Sequence, residues 1–221
     1  MSRIRPHKPW IRILTRPRET IQKIISYNPN YLLLLLSFIY GFPWILNLAQ
    51  TASLGRMYPQ IQITIAALLL AIPIGYIAFS FFSLLYLWIG KLIRGKGSFL
   101  TIRSAVGWSN IPNAISILIW IVFMVLFRNS LFNDGVTNVP GFSNYAMIAF
   151  IIQVICSIWA FWILLHTLSY VQKFSIWKAL LNIVLVFLVC FVLTFGLSFI
   201  YLFISCLLYT SDAADERASV D

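Results

Sequence analysis

His166 is the one side chain within the long apolar stretches that titrates near neutral pH, so acid–base chemistry there would have to centre on it. Ser157 and Ser169 are the nearest serines, and a serine nucleophile needs a base beside it. Neither a GxSxG nor an HExxH pattern is present. A metal site needs several convergent ligands, and His166 and His7 are the only histidines. Cys156, Cys190 and Cys206 form no CxxC or Cys/His cluster, which leaves them as small apolar fillers. The residue types therefore point to no catalytic centre, no metal and no cofactor, and a non-enzymatic protein is expected. His166 is expected to make an interhelical hydrogen bond to a serine or threonine.

The basic stretch Gly90–Phe99 invites a phosphate-loop reading at Gly95-Lys96-Gly97-Ser98. It lacks the G-x-x-x-x-G-K-[ST] spacing and a preceding strand, so no nucleotide site is expected. A flexible basic turn against lipid phosphates suffices. Arg16, Arg18, Lys23, Lys91, Arg94, Lys96 and Arg103 are the candidate residues facing anionic headgroups or a partner. Asn47, Asn113, Gln153 and Asn182 are uncharged polar groups in or near apolar runs, suited to interhelical hydrogen bonds or to lining a cavity. Trp108 and Asn110 read as a membrane-interface pair.

Such chemistry is sparse because the chain is mostly apolar. Of 221 residues, 61% are hydrophobic and 10% charged, against about a quarter charged in a soluble domain. Runs longer than about 18 apolar residues read as membrane spans. The formal net charge of +10 fits an anionic lipid surface better than nucleic acid, because the basic residues flank apolar runs. The first apolar run begins only at Tyr31 and no A-x-A site follows it, so it reads as a retained span rather than a signal peptide.

The expected fold is an all-α polytopic membrane bundle of five transmembrane helices with a short N-terminal interfacial amphipathic helix. Residues 1–30 form a basic segment. From Pro17 the pattern is helical, with Ile21, Ile24 and Ile25 on one face, Thr15 as N-cap and a Glu19–Lys23 pair. Asn28-Pro29 ends it. That helix is expected to lie in the headgroup plane with Trp10 as anchor. The spans are placed at Tyr31 to about Leu48, Ile61–Ile89, Ala105–Phe127, Tyr145–Tyr170 and Leu180–Ser205. Pro43 kinks the first, and Pro73 with Gly75 bends the over-long second, with nothing ionisable near by in sequence. Ser98 or Thr101 is expected to cap the helix leading into the third.

Lys and Arg residues set the orientation. Seven precede the first span, one follows it, four follow the second, one the third and two the fourth. Alternate segments thus place thirteen on one side and two on the other. The N-terminus is expected in the cytoplasm and the C-terminus outside.

Residues 206–221 break the pattern. Cys206-Leu207-Leu208-Tyr209-Thr210-Ser211-Asp212-Ala213-Ala214-Asp215-Glu216 resembles the translation of a sequencing-library adapter, and is expected to be non-native. The rest of the chain holds fifteen basic and two acidic residues.

Across residues 31–205 and the segment before them, the chain resembles the Yip family (Ypt/Rab-interacting proteins) in its bacterial-type form. The resemblance rests on Ile13-Leu14-Thr15-Arg16-Pro17-Arg18-Glu19-Thr20-Ile21, on Asn28-Pro29, on Gly90 through Gly97-Ser98-Phe99, and on Asn110-Ile111-Pro112. It implies a five-span integral membrane domain with a cytoplasmic N-terminus, in the bacterial cytoplasmic (inner) membrane. Eukaryotic members are associated with Rab-type GTPases and vesicle traffic, but the short N-terminal segment here does not match their longer cytoplasmic region. The expected function is a scaffold or adaptor in membrane organisation, with lipid bilayer, anionic headgroups and a protein as partners and no nucleic acid. The alternative is a permease-like subunit for a small or apolar solute, and an intramembrane enzyme centred on His166 ranks last.

Overall fold

The computed structural model describes residues 9–218; Arg3, Arg5, His7 and Lys8 of the basic segment lie outside it. Every regular element in that range is helical. In chain order these are α1 (Pro9–Thr15), α2 (Pro17–Tyr27), α3 (Leu33–Thr51), α4 (Gln60–Leu92), α5 (Phe99–Ser109), α6 (Ile115–Phe127), α7 (Phe142–Gln172) and α8 (Ile176–Ala218). Helices α3, α4, α7 and the 176–204 part of α8 are each long and apolar enough to cross a membrane. The pair α5 and α6 supplies a fifth crossing if it counts as one span bent by 49°.

The bend replaces the single helix expected over 105–127. Its cause is local. Pro112 has no N–H to donate and its ring crowds the preceding turn. The Asn110 side chain bonds the Val106 carbonyl (2.9 Å), ending α5, and residues 111–114 make a tight 3₁₀ turn before α6. Ser98 is the N-cap of α5, with its N–H donating to Thr101 Oγ1 (3.1 Å).

Helix α4 is the axis. Its 33 residues span roughly 50 Å at 1.5 Å each, well beyond a hydrocarbon core of about 30 Å. The helix runs unbroken through Pro73, and Gly75 serves contact rather than bending. A Cβ on Gly75 would overlap the Ser37 carbonyl, and one on Gly41 the Ala71 carbonyl. Ser37 and Gly41 on α3, with Ala67, Ala71 and Gly75 on α4, thus form two small-residue stripes at four-residue spacing. Small residues let helices approach in lipid, where the apolar solvent gives side chains little reason to associate.

The buried side chains form two clusters along α4. One joins Ile13, Ile21, Ile24, Leu36, Phe79, Ile102, Trp108 and Leu168. The other joins Phe42, Leu46, Ala67, Trp120, Phe127 and Phe132. At the second end Gly55 N–H bonds the Phe132 carbonyl (2.8 Å), and Arg56 pairs with Asp134.

The N-terminal segment differs from expectation. It is two helices, not one, and Thr15 ends α1 instead of capping α2. The apolar stripe of α2 turns onto the bundle, with Ile21 and Ile24 fully buried, and Ile13 of α1 is buried beside it. Trp10 packs against Trp108 at 5.0 Å between ring centroids, and Trp159 Nε1 donates to the Leu14 carbonyl (3.1 Å). Trp108 is itself fully buried, so it is a core residue and not an interfacial anchor. Glu19 pairs with Arg16 (3.7 Å), not Lys23.

Candidate functional site

The basic loop is shaped by the way α4 ends. Arg94 takes a left-handed conformation (φ 67°), Gly95 N–H bonds the Gly90 carbonyl (2.6 Å), and Arg94 N–H bonds the Lys91 carbonyl (3.1 Å). This six-to-one and five-to-two pair satisfies the last carbonyls of the helix. The loop then seats on Gln172 at the end of α7. Gln172 Nε2 donates to the Tyr86 carbonyl (3.0 Å), and the Gln172 carbonyl accepts from Lys96 N–H (3.1 Å). A Cβ on Gly90 or Gly95 would run into the Gln172 side chain, so both glycines are there for close approach. Asn182 of α8 adds a second bond to the Tyr86 carbonyl (3.2 Å). Lys91, Arg94 and Lys96 are left exposed.

Two further segments reach the same end. Arg18 Nη2 donates to Ser169 Oγ (2.8 Å), whose hydroxyl donates to the Phe174 carbonyl (2.9 Å). This ties α2 to the α7–α8 turn, which carries Lys173. Arg18, Thr101, Ser169, Lys173 and Phe174 border a hollow of about 480 Å³. Beside it Arg12, Arg16, Glu19 and Lys23 border another of about 360 Å³. Of the seven residues expected to face headgroups or a partner, Arg16, Arg18, Lys23, Lys91, Arg94 and Lys96 are exposed. They lie on segments that meet at one end of the bundle.

Arg103 is the exception. It is 5% exposed. Its Nη1 donates to Tyr76 Oη (2.7 Å) and its Nη2 to Asn30 Oδ1 (2.9 Å). The guanidinium carbon lies 4.9 Å from the Tyr76 ring centre and 5.0 Å from that of Phe99. An ionisable group therefore does sit beside the Pro73–Gly75 region, brought there by α5. Asn30 is aimed by its own turn, in which Asn30 N–H bonds Asn28 Oδ1 (2.9 Å).

Of the four uncharged polar residues, Asn47, Asn113 and Gln153 gather where α5 breaks from α6, while Asn182 stands apart at the Tyr86 carbonyl. Ser116 Oγ donates to Gln153 Oε1 (2.5 Å), Gln153 Nε2 to Asn113 Oδ1 (3.2 Å), and Asn113 Nδ2 to Asn110 Oδ1 (3.2 Å). The chain of bonds crosses between α6 and α7. A groove of about 400 Å³ is lined by Asn47, Gln50, Asn113, Ser116 and Gln153, with Trp44 and Phe150 on its walls. A second groove, of about 270 Å³, shares Tyr40 and Asn113 with it. Sequence reasoning picked out Asn113 and Gln153 separately, while Ser116 was missed as their partner.

His166 does not bond across helices. Its Nδ1 lies 3.0 Å from the Trp162 carbonyl on its own helix, and its ring packs on Trp162 at 4.5 Å. Ser169 is taken by Arg18 and Phe174, so it is not a nucleophile paired with His166. No group of three potential metal ligands converges among the described residues. Cys156 and Cys190 are free thiols, half-buried.

No curated protein and no solved structure matches the chain. The family model of the Yip1 domain matches residues 11–198. That range takes in most of α1, all of α2 to α7 with the broken span, and the first half of α8, and the chain is an integral membrane protein belonging to the Yip family.

Proposed function

We propose that the chain is a non-enzymatic membrane scaffold whose basic end lies on the cytoplasmic face, in the inner membrane of a bacterium. There it holds anionic headgroups and docks a protein partner. The observation that carries this reading is the meeting of three chain segments at one end: α1–α2, the loop after α4, and the α7–α8 turn. All three bring exposed cations. At the other end, ahead of α8, the cations with described side chains are Arg56, neutralised by Asp134, and Arg128. Basic loops stay cytoplasmic, and each basic residue near an anionic surface adds about 1 kcal/mol of attraction.

The test uses the full chain in nanodiscs. Enrichment of phosphatidylglycerol over phosphatidylcholine around the protein is measured with and without K91Q/R94Q/K96Q. The enrichment is expected to fall and to be salt-sensitive. Equal enrichment in both proteins would sink the headgroup role.

A second reading, a permease-like path for a small solute, is favoured by the two grooves that meet at Tyr40 and Asn113 over a polar floor. Solute flux into proteoliposomes that is lost on Asn113→Leu and Gln153→Leu would replace the scaffold reading.

A further inference from the structure

We infer that Arg103, Tyr76 and Asn30 form a binding site for the phosphate of one membrane phospholipid, at the mouth of α3. The site goes beyond the scaffold reading and rests on it only in placing the basic end among headgroups.

Charge is the first argument. A buried guanidinium without an anion is costly, because neutral hydrogen bonds replace only part of its hydration. Among the described residues Arg103 has neutral partners only: Tyr76, Asn30 and the Phe99 ring. The acids with described side chains are elsewhere. Glu19 pairs with Arg16 at the surface, and Asp134 pairs with Arg56 at the opposite end. Two of the five guanidinium N–H donors are engaged, and among the described residues no acceptor takes the others. A phosphate oxygen is the acceptor that such a fork matches in charge and geometry.

Depth is the second argument. Helix α3 has 19 residues, or roughly 28 Å, close to the thickness of the hydrocarbon core. Asn30 lies three residues before its first turn, so if α3 crosses end to end its start, and Arg103 with it, falls at the hydrocarbon boundary, next to the layer of lipid phosphates. Tyr76 and Asn30 are both exposed, and they bring the site to the surface while Arg103 lies behind them. Lys91, Arg94 and Lys96 stand farther out, about four turns along α4 from Tyr76. They remain solvated and respond to net lipid charge. Arg103 is desolvated and responds to the phosphate itself, so it should hold phosphatidylcholine and phosphatidylglycerol alike, and salt should screen it little.

The experiment is native mass spectrometry of the full detergent-solubilised chain at increasing NaCl. Added phosphatidylcholine, phosphatidylglycerol, diacylglycerol and inorganic phosphate are compared. The expected result is one phospholipid retained after high-salt washing, with either headgroup, and no retained diacylglycerol. Arg103→Gln should weaken that binding roughly ten- to a hundredfold, the range of a charge-assisted hydrogen bond. Arg103→Lys should weaken it less. K91Q/R94Q/K96Q should leave it intact while abolishing the salt-sensitive preference for phosphatidylglycerol, which separates this site from the scaffold reading. If Arg103→Gln does not fold, the wild-type protein decides. Its thermal midpoint should rise with soluble short-chain phosphatidylcholine and saturate at one equivalent. No salt-resistant lipid on the wild type, retention by folded Arg103→Gln, or occupancy by inorganic phosphate in place of lipid would each overturn the assignment.

Discussion

Gln172 ties the end of α7 to both α4 and the basic loop. Its side chain bonds the Tyr86 carbonyl, its own carbonyl holds Lys96, and two glycines make room for it. Gln172→Leu would bury the same volume and remove the donor while Asn182 still reaches Tyr86. The expected loss is about 1–3 kcal/mol of stability, read from unfolding in detergent. Arg94 tests a different balance. It occupies a left-handed position where glycine is usual, at a cost of roughly 1 kcal/mol. Arg94→Gly should therefore leave stability equal or raised while lowering phosphatidylglycerol enrichment, whereas Arg94→Ala, which keeps the Cβ, should lower enrichment and leave stability unchanged. Unchanged enrichment in Arg94→Gly would show that the charge at this position is idle.

At the scale of elements, two features set the architecture. The α3–α4 crossing depends on Gly41 and Gly75, each facing a backbone carbonyl of the other helix. Gly75→Leu should destabilise the bundle by about 3 kcal/mol or more, at the top of the range for overpacking, because backbone cannot move aside as a side chain can. Thermal unfolding of the variant against wild type would measure it. The small-residue spacing was visible in the sequence, but Gly75 next to Pro73 read as a bend. The broken third span was half legible. Pro112 marked the place, yet an apolar run through 127 hid the break, because in lipid both a straight and a broken helix read as hydrophobic. The amphipathic pattern of α2 was legible as well. What it faced was not, since a protein core and a lipid surface ask for the same isoleucines.

The whole molecule is polarised by charge. With five crossings, termini fall on opposite sides, and the basic end should face the cytoplasm. A reporter active only in the cytoplasm should signal from the N-terminus and stay silent when fused after the last span. Signal at both ends would instead fit four crossings, with α5 and α6 entering and leaving on one side.

Membrane class, helical content, the approximate spans and the one-sided distribution of Lys and Arg were all determined by the sequence alone. Each is a property of composition along the chain, and a bilayer sorts composition by depth. The meeting of Arg103 with Tyr76 and Asn30, of Gln172 with Gly90 and Gly95, and of Asn113 with Gln153 was decided only by tertiary structure. Those groups lie far apart in sequence and are uncharged or singly charged. No periodicity announces them, and only the packing of α4 against α3, α5 and α7, and of the 111–114 turn against α7, brings these groups together.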